Sequence, residues 1–583
     1  MSIRLFTRSL RGILAALVLA FSLLLIVSHS LTAVHAAGRQ ITAGSTFVVN
    51  SIIDEPDADP SNGLCFSTPS GKCTLRAAIM EANFTTTPDT ITIPSGVYLL
   101  TRPGYDDTAL VGDLDITQWL TIQGAGAGTT IIDGNGVVTG DRVFHVLQSA
   151  VSVTLQGLTI RHGSVPISGV GGPSWGGGIL INNAGVFPPS LHLKDVILED
   201  NAALTGGGLY ASTSEVDLQN TIVRTNTAVS GGAGGGIYAA FGGTLTMHDS
   251  KVYSNSAGNG GGAALEGMLN TRIERTEFYS NTAAGTGGGI NNSTTFDFPI
   301  TPLTLIDSNL HDNFSSFSGG GISTFSTLVL SRTVLNANHA TDKGGGFYAA
   351  SGNAVLSLQE STLSRNTAQF GGAIEYESSP GAPGALTLSN STLSGNSVSH
   401  DGAGIYAIDG AKILLFNATI ASNVLSLLHG QNNPLRGGGV FITDTAIITA
   451  HNTLIADNYY TNNLTQSAPD DCFTPPTTSL HSLGYNLIET TGNCQISGIT
   501  LGNVTGQDPK LGPPQNNGGS TETRALLSNS PAIDAGDTNG CTNGQNQPLT
   551  TDQRRFRRPI GPRCDIGAVE YSPYSIDLPL IQR

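Results

Sequence analysis

Charge is scarce in this 583-residue chain: Asp, Glu, Lys and Arg make up 12% of it and aromatic residues 6%, and there are only four Met and two Trp. The 27 Lys and Arg stand against 43 Asp and Glu, which excludes the basic surface that a nucleic-acid partner requires. No C-x-x-C occurs and no cysteine has a neighbouring His pair, so the six cysteines do not read as a zinc site. Helical periodicity is nearly missing too, with "CTLRAAIMEAN", Cys73 to Asn83, as its one clear instance. What the chain has in quantity is glycine, 74 residues, beside 39% hydrophobic residues. That is enough apolar matter for a continuous core and too much for a disordered linker.

Arg4, Arg8 and Arg11 precede an apolar run from Ile13 to about Val27, and small residues follow near Ala36. This pattern is that of a secretory signal peptide over residues 1–36, and no later run reads as a membrane span. Its removal takes away three Arg and no acid, which lowers the net charge from −16 to −19. In a secreted chain six cysteines in sequence-local pairs predict disulfides Cys65–Cys73, Cys472–Cys494 and Cys541–Cys564.

A glycine motif recurs at Gly176, Gly206, Gly234, Gly260, Gly287, Gly319, Gly344, Gly371, Gly402 and Gly437. It alternates with an Asn closing an apolar stretch, at Asn201, Asn226, Asn255, Asn281, Asn313, Asn338, Asn366, Asn396, Asn423 and Asn458. Each unit holds two or three short strands and cannot bury its apolar side alone. Stacked coils can, at about 4.8 Å per coil, giving roughly 43 Å for ten motifs. The expected fold is therefore all-β, a parallel β-helix, with a β-propeller of longer blades as the alternative; the right-handedness of the helix and its likeness to pectin-lyase-like solenoids are taken by analogy. Glycine serves positive φ at corners and close approach of coils, and the inward asparagines form a hydrogen-bonded ladder. The helix near Cys73, with Leu75, Ala78, Ile79 and Ala82 on one stripe and Thr74 as N-cap, reads as a lid over the first coil.

The segment "FVVNSIIDEPDADPSNGLC" followed by "CTLRAAIMEAN" and "DTITIPSGVYLLT" resembles the CSLREA region of secreted bacterial β-helix proteins, with Thr74 and Ala77 replacing the family's Ser and Glu. The coils, as in "FYSNTAAGTGGGI" from Phe278 and "GGAI" at Gly371, are similar to polymorphic outer-membrane-protein repeats. The tail from Asn516 to Glu570 resembles the choice-of-anchor Q region, with Arg555 where that family often has Gly. These resemblances imply export and a β-helix but no chemistry. They suggest a signal peptide over 1–36, a CSLREA-like cap over 37–101, coils over 102–460, a C-terminal cap over 461–571 and a tail over 572–583.

Few residues suggest chemistry. Gly172 to Gly176 spells G-x-S-x-G, but glycine loops rather than a strand and helix surround it. Adjacent His and Asp at His248-Asp249, His311-Asp312 and His400-Asp401 would point to opposite faces on a strand and are expected to sit at exposed turns. Glu375 and Glu377 share a strand face and form the candidate catalytic pair. Asp54, Asp57 and Asp59, beside Glu55, offer hard oxygen ligands suited to Ca²⁺, the one cofactor the sequence suggests. Arg554, Arg555, Arg557 and Arg558 are expected to pair with carboxylates or to cap carbonyls. The expected function is an extracellular or cell-surface module that binds glycans or surface proteins without catalysis. The alternatives are a polysaccharide lyase or glycoside hydrolase, and a structural surface-layer component.

Overall fold

The computed structural model describes residues 44–573 apart from 148–150, 166–173, 183–186, 296–300, 351–353, 383, 427–436 and 462–466. The expected signal peptide lies outside the described residues, as does the chain from 574 onward. Thr46–Arg583 forms one compact unit. Among the described residues no helix is long and apolar enough to cross a membrane.

The architecture is a parallel β-helix. One coil shows how the sequence builds it. Thr244–His248 lies in a first sheet, Lys251–Tyr253 in a second, Ser256–Ala257 in a third and Ala263–Glu266 in a fourth. Leu245, Met247, Val252, Ala257, Ala263 and Leu265 alternate inward and are buried. The corners between strands need left-handed backbone, and Asp249, Ser254, Gly260 and Gly267 supply it with φ of 55°, 54°, 62° and 62°. Short polar residues serve two corners and glycine serves the other two.

Along the coils strands pair in parallel with their counterparts one coil before and one coil after, as Leu245 does with Val216 and Thr271, whereas Ser467–Pro469 turns back antiparallel on Tyr459–Thr461. Among the described residues the four sheets hold sixteen, fifteen, eleven and thirteen strands. The first strand of the eleven-stranded third sheet among the described residues is Ala202–Ala203, right after Asn201, so this side of the coil largely accompanies the asparagine repeat. Sequence reading undercounts the strands because two-residue segments carry no visible alternation.

The ten asparagines form a continuous buried ladder. Asn281 is typical: its Nδ2 donates to the Val252 carbonyl and to Asn313 Oδ1, at 2.9 and 3.0 Å, and its Oδ1 accepts from the backbone N–H and Nδ2 of Asn255. All four positions of the amide are filled. The ladder starts where Gly163 N–H donates to Asn201 and ends where Asn458 donates to Asp471. The glycines beside it are forced by contact: a Cβ on Gly235 would lie 2.5 Å from the carbonyl oxygens of Gly261 and Ser256.

The helix Leu75–Ala82 lies against the strands Asp89–Ile93 and Leu114–Ile116, with the Thr74 side chain accepting from Ala77 N–H. Its polar side is covered as well as its apolar stripe. Arg76 is buried against Asp54 and the carbonyls of Ala109, Gly112 and Asp113, and Glu81 accepts from the N–H groups of Ser61 and Gly63. The three disulfides join the expected partners, Cys65–Cys73, Cys472–Cys494 and Cys541–Cys564.

After the strand Val504–Thr505 the chain runs back along the outer face of the second sheet. Corner asparagines hold it there: Asn390 donates to the Thr551 carbonyl and Asn417 to that of Thr542. Arg558 donates to Asn390 and to the carbonyls of Asp565 and Gly567, and Arg554 and Arg555 pair with Asp552 and Glu360.

Candidate functional site

Side-chain size along the second sheet decides where this returning segment can lie. Its outward row reads Glu199, Arg224, Tyr253, Tyr279, His311, Asn336, Ser364, Ser394, Ala421 and Ala456, one residue per coil. The small residues at the C-terminal end leave room for the segment. The large ones stack instead, Tyr253 on Tyr279 at 4.6 Å and Tyr279 on His311 at 5.0 Å between ring centres.

Where the segment stops, it walls a cavity of about 330 Å³ lined by Asn309, Val334, Asn336, Arg365, Asn516, Gly519, Ser520, Thr521 and Glu522. Arg365 Nε donates to Asn336 Oδ1 at 2.9 Å, and its Nη2 meets Glu522 Oε2 at 3.1 Å. Thr521 Oγ1 donates to the Glu360 carbonyl and accepts from Gln553 Nε2, which fixes this wall to the coils. Asn309 Oδ1 is buried and has no hydrogen-bond partner. The lining carries one cation and one anion, with amides and hydroxyls around them, a set that both donates and accepts.

A second group stands on the outer face of the fourth sheet. Glu375 and Glu377 both lie on the strand Ile374–Ser378 and face away from the core, as their spacing requires. Lys343, which the sequence reading missed, reaches both, with Nζ 3.4 Å from Glu375 and 3.2 Å from Glu377. Tyr348 donates to Glu377. Glu375 is fully buried and has no partner apart from the Lys343 ammonium. Burial above all, opposed by Lys343 and reinforced by Glu377, pushes its pKa up to about 8. Burial opposes the charge on Lys343, but the two carboxylates outweigh it and raise its pKa. This arrangement holds one carboxyl protonated at neutral pH beside an ion-paired one.

Of the other sequence candidates, Asp54, Asp57 and Glu55 have structural partners and Asp59 is exposed. Asp54 accepts from Arg76 and from Thr101 N–H, Asp57 accepts from the N–H groups of Asp59 and Phe66, and Glu55 is bonded by Ser67 and Ser70. Among the described residues, groups of three His or carboxylate ligand atoms converge elsewhere, at Asp107, Asp115 and His145 and at Asp457, Glu489 and Asp508. His248 touches Asp249 and His311 touches Asp312, at 3.3 and 2.7 Å, although neighbours on a strand would face opposite sides. Both aspartates sit past the strand end with φ near 55°, and that turn swings them back. Of the G-x-S-x-G segment, Gly172 and Pro173 lie outside the described residues and Gly176 is a coil corner with φ 63°.

No family model matches the chain. Metabotropic glutamate receptor-like protein R of Dictyostelium discoideum is 26% identical over 162 residues, which cover 27% of this chain and 10% of that protein. The match thus spans about a tenth of that protein's length. The crystal structure of pectate lyase Pel9A aligns over 91% of this chain and 98% of its own at 12% identity, with a TM-score of 0.28.

Proposed function

We propose that the chain is an exported β-helix protein that binds neutral polysaccharide at the cavity on its second sheet and does not cleave it. The observation that carries this reading is a polar cavity whose lining includes Asn309, a residue whose amide oxygen has no hydrogen-bond partner. A sugar hydroxyl donates one hydrogen bond and accepts others, so it suits Asn309 Oδ1 beside the donors of Asn516, Ser520 and Arg365. Arg365 and Glu522 cancel in charge, and a mature chain of net charge −19 repels polyanions. The Tyr253–Tyr279–His311 row continues from the cavity along the same face and extends the surface open to a polymer. Three disulfides suit an oxidising, extracellular setting. The likeness of residues 47–101 to the CSLREA region supports export, and that of the tail to choice-of-anchor Q supports a place at the cell surface.

A second reading, cleavage of polysaccharide, rests on the Lys343 cluster. Two carboxylates with unlike surroundings are what an acid–base pair needs, with Glu375 as proton donor and Glu377 as the carboxylate that activates water or attacks.

One experiment separates the two. The oxidised mature protein is incubated with a panel of neutral and acidic polysaccharides, and both retention on the polymer and new chain ends are scored. Retention on a neutral polymer without new ends is expected, with retention lost in Asn309→Leu. New ends that vanish in Glu375→Gln would replace binding by cleavage, and no retention on any neutral polymer would end the binding proposal.

A further inference from the structure

The first coils of the fourth sheet hold a group that neither the cavity nor the Lys343 cluster uses. Asp115 on the strand Leu114–Ile116 and His145 on the strand Phe144–Val146 are direct partners in the parallel pairing. Their neighbours Leu114, Ile116, Phe144 and Val146 fill the core, so both side chains face outward. The loop before Asp113 folds over them and brings Asp107 alongside. The side chains of Asp115 and His145 are 0% and 3% exposed, whereas that of Asp107 is 57% exposed.

The polar atoms of this group do not balance. His145 Nε2 lies 3.4 Å from Asn182 Oδ1, so its proton belongs there and the lone pair sits on Nδ1. That Nδ1 faces Asp115 Oδ1 at 3.5 Å and Asp107 Oδ1 at 4.0 Å. Neither His145 Nδ1 nor Asp115 Oδ1 has a hydrogen-bond partner, although both are buried. Two buried acceptors therefore face each other with no donor between them, an arrangement that costs free energy unless a cation fills it, and Asp107 Oδ1, which accepts from the exposed Tyr105 hydroxyl at 3.2 Å, stands beside them. The nearby guanidinium groups are engaged elsewhere: Arg142 with Asp113 and Asp141, at 3.0 and 3.8 Å, and Arg76 with Asp54. Ala109 N–H donates to Asp115 Oδ2 and Asn182 faces His145 Nε2, so two ligands are oriented from behind.

We propose that Asp107, Asp115 and His145 bind one divalent transition-metal ion of the Zn²⁺ class. All three ligand atoms lie within 4.8 Å of one another. Bonds of about 2.0–2.2 Å to one central ion need ligand atoms roughly 3–4 Å apart, so a small contraction closes the site. An imidazole nitrogen with two carboxylate oxygens suits Zn²⁺ better than Ca²⁺, which prefers oxygen alone. Exposed Asp107 leaves that side of the ion to water. The ion would pin the 101–113 loop to the first coils of the fourth sheet.

The test is a calorimetric titration of Zn²⁺ into the chelator-stripped, oxidised mature protein, repeated with Ca²⁺. One tight equivalent of Zn²⁺ is expected, weakened at least tenfold in Asp107→Asn and lost in His145→Ala. Asp107→Asn alters an exposed side chain outside the core, so its folding is not in question. His248→Ala, which removes a partly exposed imidazole beside Asp217, is expected to leave the tight equivalent unchanged. Unchanged Zn²⁺ affinity in Asp107→Asn and His145→Ala would overturn the assignment. So would the absence of a tight equivalent, the result if a single proton shared between Asp115 and His145 already joins them. Displacement of Zn²⁺ by equimolar Ca²⁺ would overturn the ion class.

Discussion

The asparagine ladder and the outward row of the fourth sheet are stacked by the same coils, yet they differ in kind. Along the ladder one residue type repeats ten times and every amide position is filled, as at Asn281. Along the fourth sheet the residue changes from coil to coil, through His145, Leu180, Tyr210, Tyr238, Ala264, Asn291 and Ser323 to Tyr348 and Glu375. There buried polar atoms of His145 and Glu375 go without hydrogen bonds. Repetition lets identical side chains satisfy one another, so it marks structure. Where repetition breaks, satisfaction must come from something other than the neighbouring coil.

The sharpest way to break this contrast is to shorten one amide in each row. Asn281→Ala orphans groups on both adjacent coils, and we expect a loss of about 4 kcal/mol in denaturant unfolding. Asn291→Ala, outward on the fourth sheet, is expected to cost less than about 1 kcal/mol, since its side chain bonds only Thr286 Oγ1. Equal losses would remove the distinction.

Next in size is the Cys541–Cys564 staple, which closes a loop in the segment lying over the second sheet. Its replacement by two serines is expected to cost about 3 kcal/mol. Hydrogen exchange should then quicken around Thr521 and Glu522 before it does along the ladder, and uniform quickening would contradict the division. Smaller still is Gly234→Ala, where φ of 69° and the Ile237 carbonyl 2.4 Å from the new Cβ predict about 1–2 kcal/mol.

The smallest expected effect is a change in pH dependence. Glu375 has its folded pKa raised to about 8 from the ordinary 4.5, so between these values the folded state holds a proton that the unfolded state has released. Its contribution is present below pH 4.5 and is lost as pH rises through 8. Melting temperature should therefore fall less steeply across that window in Glu375→Gln than in the parent, and parallel curves would show that Glu375 is not held protonated.

What was legible in the sequence was local or periodic. The Gly and Asn repeats point to the coil, Thr74 to Asn83 to the helix, and the close spacing of each cysteine pair to its bridge. Asp471 ends the ladder only thirteen residues after Asn458, outside the repeat spacing, and so escapes pattern reading. Lys343, whose register partner on the next coil is Phe370, reaches Glu375 from the corner that precedes Tyr348, a placement fixed by loop lengths rather than by any motif. Asn309 faces a wall contributed by Asn516 and Thr521 because the C-terminal segment doubles back over small residues, which no spacing rule announces. His145 and Asp115 are separated by one early coil that lacks the glycine motif, and so fall outside the repeat reading altogether.

The most direct test of the central claim is the affinity for an oligosaccharide of the neutral polymer that retains the protein, titrated into the parent chain, Asn309→Leu and Glu375→Gln. The account predicts at least tenfold weaker binding in Asn309→Leu and no change in Glu375→Gln. Unchanged affinity in Asn309→Leu, or a loss confined to Glu375→Gln, would contradict it and move the site to the fourth sheet.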